Sequence, residues 1–139
     1  MDRHAWALEQ ATMLERGRHE GLDTLLLAEE MTELGRSEYS ALLSALTRLL
    51  QHLLKWDHQP RRRGRSWVNT IDEQWERVRD RLDDSPSLRG QLDVILAKAY
   101  SKGRAAMLRE TLLTSDMIPE ICPYAWDDIM TREIVWPED

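Results

Sequence analysis

The sequence predicts an all-α fold, a single-domain bundle of about five helices closed by an irregular, proline-containing C-terminal strap. Apolar residues recur at spacings of three and four along most of the chain, which is the period of an amphipathic helix. The chain has no phenylalanine, no sustained alternation of apolar and polar residues, and no Asn-Gly or Asp-Gly pair. Because strands and hairpins carry those signals, helices are expected throughout.

The length of 139 residues suits one domain. We expect helices at residues 3–16, 23–34, 37–58, 66–84 and 86–113, with a short helix at 125–130. The first predicted helix carries on one side Trp6, Gln10, Met13 and Leu14. The second should end at Gly35, since glycine is the usual residue just past a helix terminus.

The third and fourth predicted helices each have one apolar face, typical of a surface helix packed on a core. Gln59-Pro60 should stop the third helix, because proline disfavours helical backbone in the preceding residue. Ser66 is expected to cap the fourth helix. The apolar face of the third helix consists of Leu42, Leu43, Leu46, Leu49, Leu50, Leu53, Leu54 and Trp56, and that of the fourth of Trp67, Val68, Ile71, Trp75, Val78 and Leu82.

The fifth predicted helix is apolar on two sides, and Ser85-Pro86 is expected to start it. Gly103 in its interior predicts a bend or a close approach of another helix, since glycine weakens a helix by about 1 kcal/mol relative to alanine. This helix has more apolar surface than one side of a small bundle can cover. We therefore expect the protein to be a homodimer. One stripe is Leu88, Leu92, Ile95, Ala99 and Ala106, and the other is Val94, Ala105, Leu108 and Leu112.

Composition narrows the class of protein. The single cysteine, Cys122, excludes an internal disulfide, and no apolar run approaches the length of about 20 residues that a membrane span needs. The charged opening MDRHAWALEQ lacks the apolar segment of a secretory signal. We therefore expect a cytoplasmic protein with no membrane association.

Several motifs in order along the chain resemble domain-of-unknown-function family 29. They are LDTLLLAEEMTELGRSE (residues 22–38), HLLKWDHQP (52–60), R-x-R-S-W (63–67), SPSL (85–88), ET (110–111) and CPY (122–124). The resemblance covers almost the whole chain. It implies a small α-helical protein of bacterial origin, and it implies no activity.

Charge is distributed unevenly around the net value of −6. From Lys55 to Arg65 there are five cations and one acid, and four of the cations are Arg61, Arg62, Arg63 and Arg65. Such a loop could bind a phosphate-bearing or acidic partner. Alternatively, its cations neutralise a helix C-terminus or the acidic stretch from Met107 to the end, which holds eight acids and two cations. The net negative charge makes nucleic-acid binding the less favoured alternative.

Glu30 and His52 would approach each other if the second and third predicted helices packed antiparallel. A metal or acid–base site is one interpretation of such a pair. However, helical di-metal proteins use Glu-x-x-His pairs, and no histidine here has a glutamate three residues before it. A structural hydrogen bond is the favoured use, and no metal or other cofactor is predicted.

Three functional hypotheses follow. The first is a non-enzymatic interaction protein, with Cys122 packed as a small apolar side chain rather than acting as a nucleophile. The second is a nucleic-acid-associated regulator or neutralising partner that acts through the loop from Arg61 to Arg65. The third is a metal-dependent helical-bundle enzyme centred on Glu30 and His52.

Overall fold

A computed structural model describes residues 1–136. Five α-helices occur in this range: α1 (Arg3–Glu15), α2 (Thr24–His58), α3 (Arg65–Asp84), α4 (Leu92–Glu110) and α5 (Trp126–Thr131). Short 3-10 turns span Pro60–Arg62, Pro86–Gln91 and Ser115–Met117. No strand lies within the described range, so the predicted all-α class is confirmed. Pro137, Glu138 and Asp139, which the sequence places in the strap and its acidic end, lie outside the described residues.

The chain forms two compact units, one of residues 1–37 and one that begins at Glu38. In the first unit Asp2 caps α1, since its carboxylate accepts a hydrogen bond from the backbone N–H of Ala5 at 3.0 Å. Gln10 then ties α1 to the following loop. Its amide donates to the carbonyl of Gly21 at 3.2 Å and accepts from the N–H of Asp23 at 2.8 Å.

The expected break at Gly35 does not occur, and the prediction of separate helices at 23–34 and 37–58 is wrong. A single helix of 35 residues, α2, runs through this position. Among the described glycines only Gly17 has a positive φ, so Gly35 keeps ordinary helical backbone. The residues around it are good helix formers, and the ion pair between Glu33 and Arg36 at 2.7 Å spans it. A local cost of about 1 kcal/mol is too small to end such a helix.

The second unit contains the hydrophobic core, and the predicted apolar faces of the third and fourth helices pack there, with Leu43, Trp67 and Val68 half-buried and the rest buried. Trp75 also makes a polar contact, because its indole N–H donates to the carbonyl of Ile129 on α5 at 2.7 Å. The core side chains include Leu42, Leu46, Leu49, Leu50, Leu53 and Leu54 of α2, Ile71, Trp75, Val78 and Leu82 of α3, and Ile95, Ala99 and Met107 of α4.

Two helix starts differ from expectation. Ser66 is not an N-cap, because α3 begins one residue earlier and its cap is Gly64, in extended backbone. Ser85-Pro86 opens a 3-10 turn, and α4 begins only at Leu92. The hydroxyl of Ser85 donates to Glu38 at 3.3 Å, so it bonds α2 rather than capping its own helix. The predicted stop at Gln59-Pro60 is confirmed, since α2 ends at His58.

The C-terminal strap is held by polar contacts to α4. Arg104 donates to the carbonyls of Ser115 and Ile118 at 2.8 and 3.2 Å, and the hydroxyl of Tyr100 donates to the carbonyl of Pro119. Ile118 is buried in the core. The strap is therefore held to α4 at these points despite having little regular structure.

At Gly103, α4 lies in close contact with the backbone of α2. A Cβ at this position would stand 2.8 Å from the backbone oxygen of Thr47 and 3.1 Å from the backbone nitrogen of Gln51. Because both are backbone atoms of a helix, neither can move aside easily. The expected close approach is confirmed, and Gly103 is required by it.

We expect Gly103→Ala to lower the free energy of unfolding by about 1–3 kcal/mol, since the clash outweighs the better helix propensity of alanine. Gly35→Ala is the matched control. A Cβ at Gly35 meets nothing within 4 Å, so this variant should gain about 0.5–1 kcal/mol. Urea unfolding of both variants measures the difference, and equal effects of the two substitutions would contradict the close contact.

Candidate functional site

Polar and aromatic side chains gather where α2 ends and the strap returns. We call this group the α2-end cluster: Lys55, Trp56, Asp57, Arg63, Tyr124 and Arg132. At its centre Asp57 accepts a hydrogen bond from the hydroxyl of Tyr124 at 2.6 Å. Arg132 donates to both carboxylate oxygens of Asp57, through Nη1 at 2.9 Å and through Nη2. This two-point pairing fixes the strap to the last turn of α2.

The electrostatics of Asp57 follow from these bonds. Burial raises the pKa of its carboxyl, but the hydrogen bonds from Arg132 and Tyr124 together outweigh burial, and the pKa lies below its ordinary value. Burial raises the pKa of the Tyr124 hydroxyl, and the bond to Asp57 raises it further. The hydrogen bond to Asp57 also raises the pKa of Arg132. Near neutral pH, Asp57 and Arg132 are thus charged and Tyr124 is neutral, and their hydrogen bonds satisfy one another.

Trp56 is enclosed by side chains from two directions. The guanidinium carbon of Arg63 lies 4.6 Å from the centre of its ring, and Arg63 Nε donates to the carbonyl of Trp56 at 2.8 Å. The ring of Trp136 meets it edge-on, with centroids 6.0 Å apart. Trp136 therefore anchors the strap to the end of α2.

Lys55 forms an ion pair with Glu110, at the end of α4. Its ammonium also lies 5.9 Å from the centre of the Trp67 ring. The hydrogen bond from Lys55 lowers the pKa of the Glu110 carboxyl. One cation of the basic stretch is thus paired with an acid of the Met107-to-end stretch.

The five cations predicted to form a binding loop have different surroundings. Lys55 and Arg63 are occupied within the protein. Arg61 and Arg62 lie exposed in the 3-10 turn, and Arg65 is the first residue of α3. Of the predicted loop cations, Arg61 and Arg62 are therefore the ones that lie in the turn and are exposed to solvent.

Glu30 and His52 are not brought together. Both lie on the continuous helix α2, so antiparallel packing between them cannot occur. Glu30 pairs with Arg3, and the ring Nδ1–H of His52 donates to the carbonyl of Arg48 at 2.9 Å. Burial lowers the pKa of His52, against the opposing effect of that bond. Within residues 1–136 there is no group of three or more His, Cys, Asp or Glu residues placed to hold a metal ion.

Cys122 is half-buried, and its thiol donates to the carbonyl of Tyr124 at 3.5 Å. Burial raises the pKa of this thiol. A nucleophilic cysteine needs a lowered pKa and an adjacent base, whereas Cys122 packs against the hydrophobic core. Its predicted role as a small apolar side chain is consistent with this environment.

The sequence interpretation missed the central pair, Asp57 and Arg132. Asp57 lies in HLLKWDHQP and Tyr124 in CPY, two of the motifs that carry the family resemblance, and this was the available signal. Arg132 lies outside those motifs, as one of two cations in the mostly acidic stretch from Met107 to the end. Arg132 lies beside α2 only because the C-terminal strap folds back against the end of that helix.

The family described as domain of unknown function DUF29 matches residues 1–135. The match covers nearly the whole chain, and the protein belongs to this family. No curated protein and no solved structure matches the chain significantly. Among the described residues, no helix combines the length and apolar character needed to cross a membrane.

We expect Arg132→Gln to lower the free energy of unfolding by about 2 kcal/mol at pH 7, because it leaves a half-buried carboxylate without its charged partner. The pKa of Asp57 is depressed in the folded state. The stabilisation by ionised Asp57 is therefore present above its unfolded pKa, near 3.9, and is lost as pH falls through the folded pKa.

Urea unfolding at pH 7 and at about pH 3 tests this, with the difference between variant and wild type shrinking at the lower pH. The exposed Arg109 offers a control, since Arg109→Gln should change stability by less than about 0.5 kcal/mol. An equal cost of Arg132→Gln at both pH values would show that the guanidinium acts by packing rather than by charge.

Proposed function

We propose that the protein is a non-enzymatic interaction protein of the bacterial cytoplasm that works as a homodimer, with residues 1–37 forming its dimer surface. The proposal is carried by the burial pattern of this unit. Of residues 1–37, all of which the structure describes, only the polar Gln10 is buried. A pair of helices without a buried apolar residue lacks the contacts that stabilise helices in proteins.

Apolar side chains of the same unit are left exposed. Leu27, Met31 and Leu34 occupy one stripe of α2 at spacings of four and three, the pattern of a helix–helix seam. Met31 is 61% exposed and Leu34 is 59% exposed. Covering each such side chain would contribute about 1.5–3 kcal/mol, so a partner on this stripe is strongly favoured.

A second copy of the chain is the partner that suits the charges beside this stripe. Glu30 and Glu33 lie next to it together with Arg3 and Arg36. An interface with twofold symmetry presents the same patch from both subunits, so a patch with both signs of charge can complement itself. A strongly acidic or strongly basic partner would meet like charges at part of this surface.

The chemistry of the α2-end cluster supports the non-enzymatic part of the proposal. Asp57 has both oxygens bonded, and burial raises the pKa of Cys122. These are features of side chains that stabilise a fold rather than transfer protons or attack substrates. The metal-enzyme hypothesis loses its basis because Glu30 and His52 bond elsewhere.

Dimerisation can be tested with matched glutamate substitutions. By light scattering after size-exclusion chromatography, the wild type should have about twice the 16.3 kDa chain mass, and Met31→Glu should be monomeric because it buries a charge at the seam. Leu112→Glu is the control, since Leu112 is 93% exposed and lies outside residues 1–37. A monomeric wild type at high micromolar concentration would refute the dimer. Dissociation by Leu112→Glu alone would move the interface away from residues 1–37.

The second candidate, a nucleic-acid-associated regulator, rests on exposed Arg61 and Arg62. We expect no micromolar binding of an oligonucleotide at about 150 mM salt, because the net charge of −6 opposes it. Fluorescence anisotropy over a salt series checks this, using wild type and the double variant Arg61→Gln/Arg62→Gln. Binding whose log–log salt slope shallows by nearly two units in the variant would instead establish the regulator, since each duplex phosphate contact contributes a slope of about −0.9.

A further inference from the structure

A cleft with a volume of about 560 Å³ lies between α2 and α3. From α2 it is lined by Ala41, Ser44, Ala45 and Arg48, and from α3 by Gln74, Arg77 and Arg81. The small side chains of α2 leave the space open, while α3 supplies long polar side chains at spacings of three and four. None of these residues belongs to the α2-end cluster or to residues 1–37.

The cleft is rich in hydrogen-bond donors. Three of its lining residues are arginines, and none is acidic, although the whole chain has 25 acids against 19 basic residues. A guanidinium group only donates hydrogen bonds, and its fork of N–H groups matches the oxygens of phosphates and carboxylates. The complementary ligand is therefore an anion with several acceptor oxygens.

Gln74 supplies an independent observation. Its side chain is only 2% exposed, it lines the cleft, and within the described residues it makes no side-chain hydrogen bond. Among the described residues, the buried side-chain polar atom without a hydrogen-bond partner is Nε of Arg104, not an atom of Gln74. The amide of Gln74 therefore keeps some contact with solvent in the cleft, where a ligand can replace water as its hydrogen-bond partner.

The arginines can bind a ligand at a small cost in free energy, because the ion pairs that they would give up are weak. Arg77 pairs with Glu73 at 2.6 Å and Arg81 with Asp84 at 3.2 Å. Both pairs lie within one helix and are solvent-exposed, and such pairs are typically worth less than about 1 kcal/mol. The guanidinium of Arg48 forms no ion pair or hydrogen bond within residues 1–136, and Arg48 lines the same cleft as Gln74.

We propose that this cleft binds a small phosphomonoester, with Arg48 and Gln74 holding the phosphate group and Arg77 and Arg81 completing its surroundings. Three arginines and an amide offer more donors than one carboxylate can accept, and a phosphate has three terminal oxygens. The volume exceeds the need of inorganic phosphate and suits a small organic ligand. A nucleic-acid strand is disfavoured, because it would also meet exposed acids beside the cleft such as Glu73 and Asp84.

Isothermal titration calorimetry of the full chain with ribose 5-phosphate tests the proposal. We expect saturable binding with a dissociation constant of about 1 mM or tighter at about 150 mM salt, and no binding of ribose. Arg48→Gln should weaken binding at least about tenfold, since it removes a charge-assisted contact. Arg109→Gln removes the same charge from an exposed position outside the cleft and should leave the affinity unchanged.

Gln74→Leu separates binding from folding. It removes no hydrogen bond within the described residues and should therefore leave the melting temperature nearly unchanged, and it should weaken ribose 5-phosphate binding about fivefold. If Gln74→Leu binds as well as the wild type, the assignment of Gln74 is wrong.

Further titrations distinguish the possible sources of the phosphate. Inorganic phosphate that binds as tightly as ribose 5-phosphate would overturn the phosphomonoester in favour of the free ion. A single-stranded oligonucleotide that binds more tightly, and loses affinity in Arg48→Gln, would overturn it in favour of nucleic acid. Absence of saturable binding by all of these probes, or equal weakening by Arg48→Gln and Arg109→Gln, would refute the site itself.

Discussion

The close packing of α4 on the leucine-rich half of α2 is the constraint on which the second unit depends. Six leucines of α2 are fully buried, and each contributes about 2 kcal/mol by leaving water. This apolar face is fully covered only if the neighbouring helices approach closely. At Gly103 the two backbones are so near that a methyl group does not fit, and α3 is bonded to α2 through Ser85 and Glu38.

Polar contacts then close the unit at the end of α2. The strap has little regular structure, so few of its backbone groups form hydrogen bonds with one another. Its attachment to the rest of the unit therefore relies on side chains. Asp57 accepts from both Tyr124 and Arg132, while Trp136 packs on Trp56. These contacts join residues distant in sequence, and their satisfied hydrogen bonds make the cluster a structural lock rather than a reactive centre.

Two surfaces remain that the fold itself does not use. One is the apolar stripe within residues 1–37, where Met31 and Leu34 are exposed. The other is the arginine-lined cleft, in which the amide of Gln74 makes no hydrogen bond to the described residues. Their chemistry differs, since the first suits another helix and the second a small anion. A dimeric protein that binds a phosphorylated ligand would use both without any bond-making chemistry.

The sequence by itself determined the helical class, the buried faces of α2 and α3 and the stop at Pro60, because each depends on local periodicity or local backbone restriction. It also indicated the close contact at Gly103, since a glycine inside a helix has a local cost that needs a reason. Gly35 carries the same local signal and yet lies in an uninterrupted helix. A single glycine does not reveal whether the surrounding helix is stable enough to tolerate it.

Tertiary structure alone decided which polar groups meet. Glu30 and His52 were expected to pair through a turn that does not exist, whereas Asp57 and Arg132 form a two-point ion pair across 75 positions of sequence. The donor-lined cleft likewise exists only because α2 and α3 are adjacent, although Arg48 and Gln74 are ordinary polar residues in their own helices. Local pattern fixes which face of a helix is buried, but the partner of a polar side chain depends on the path of the whole chain.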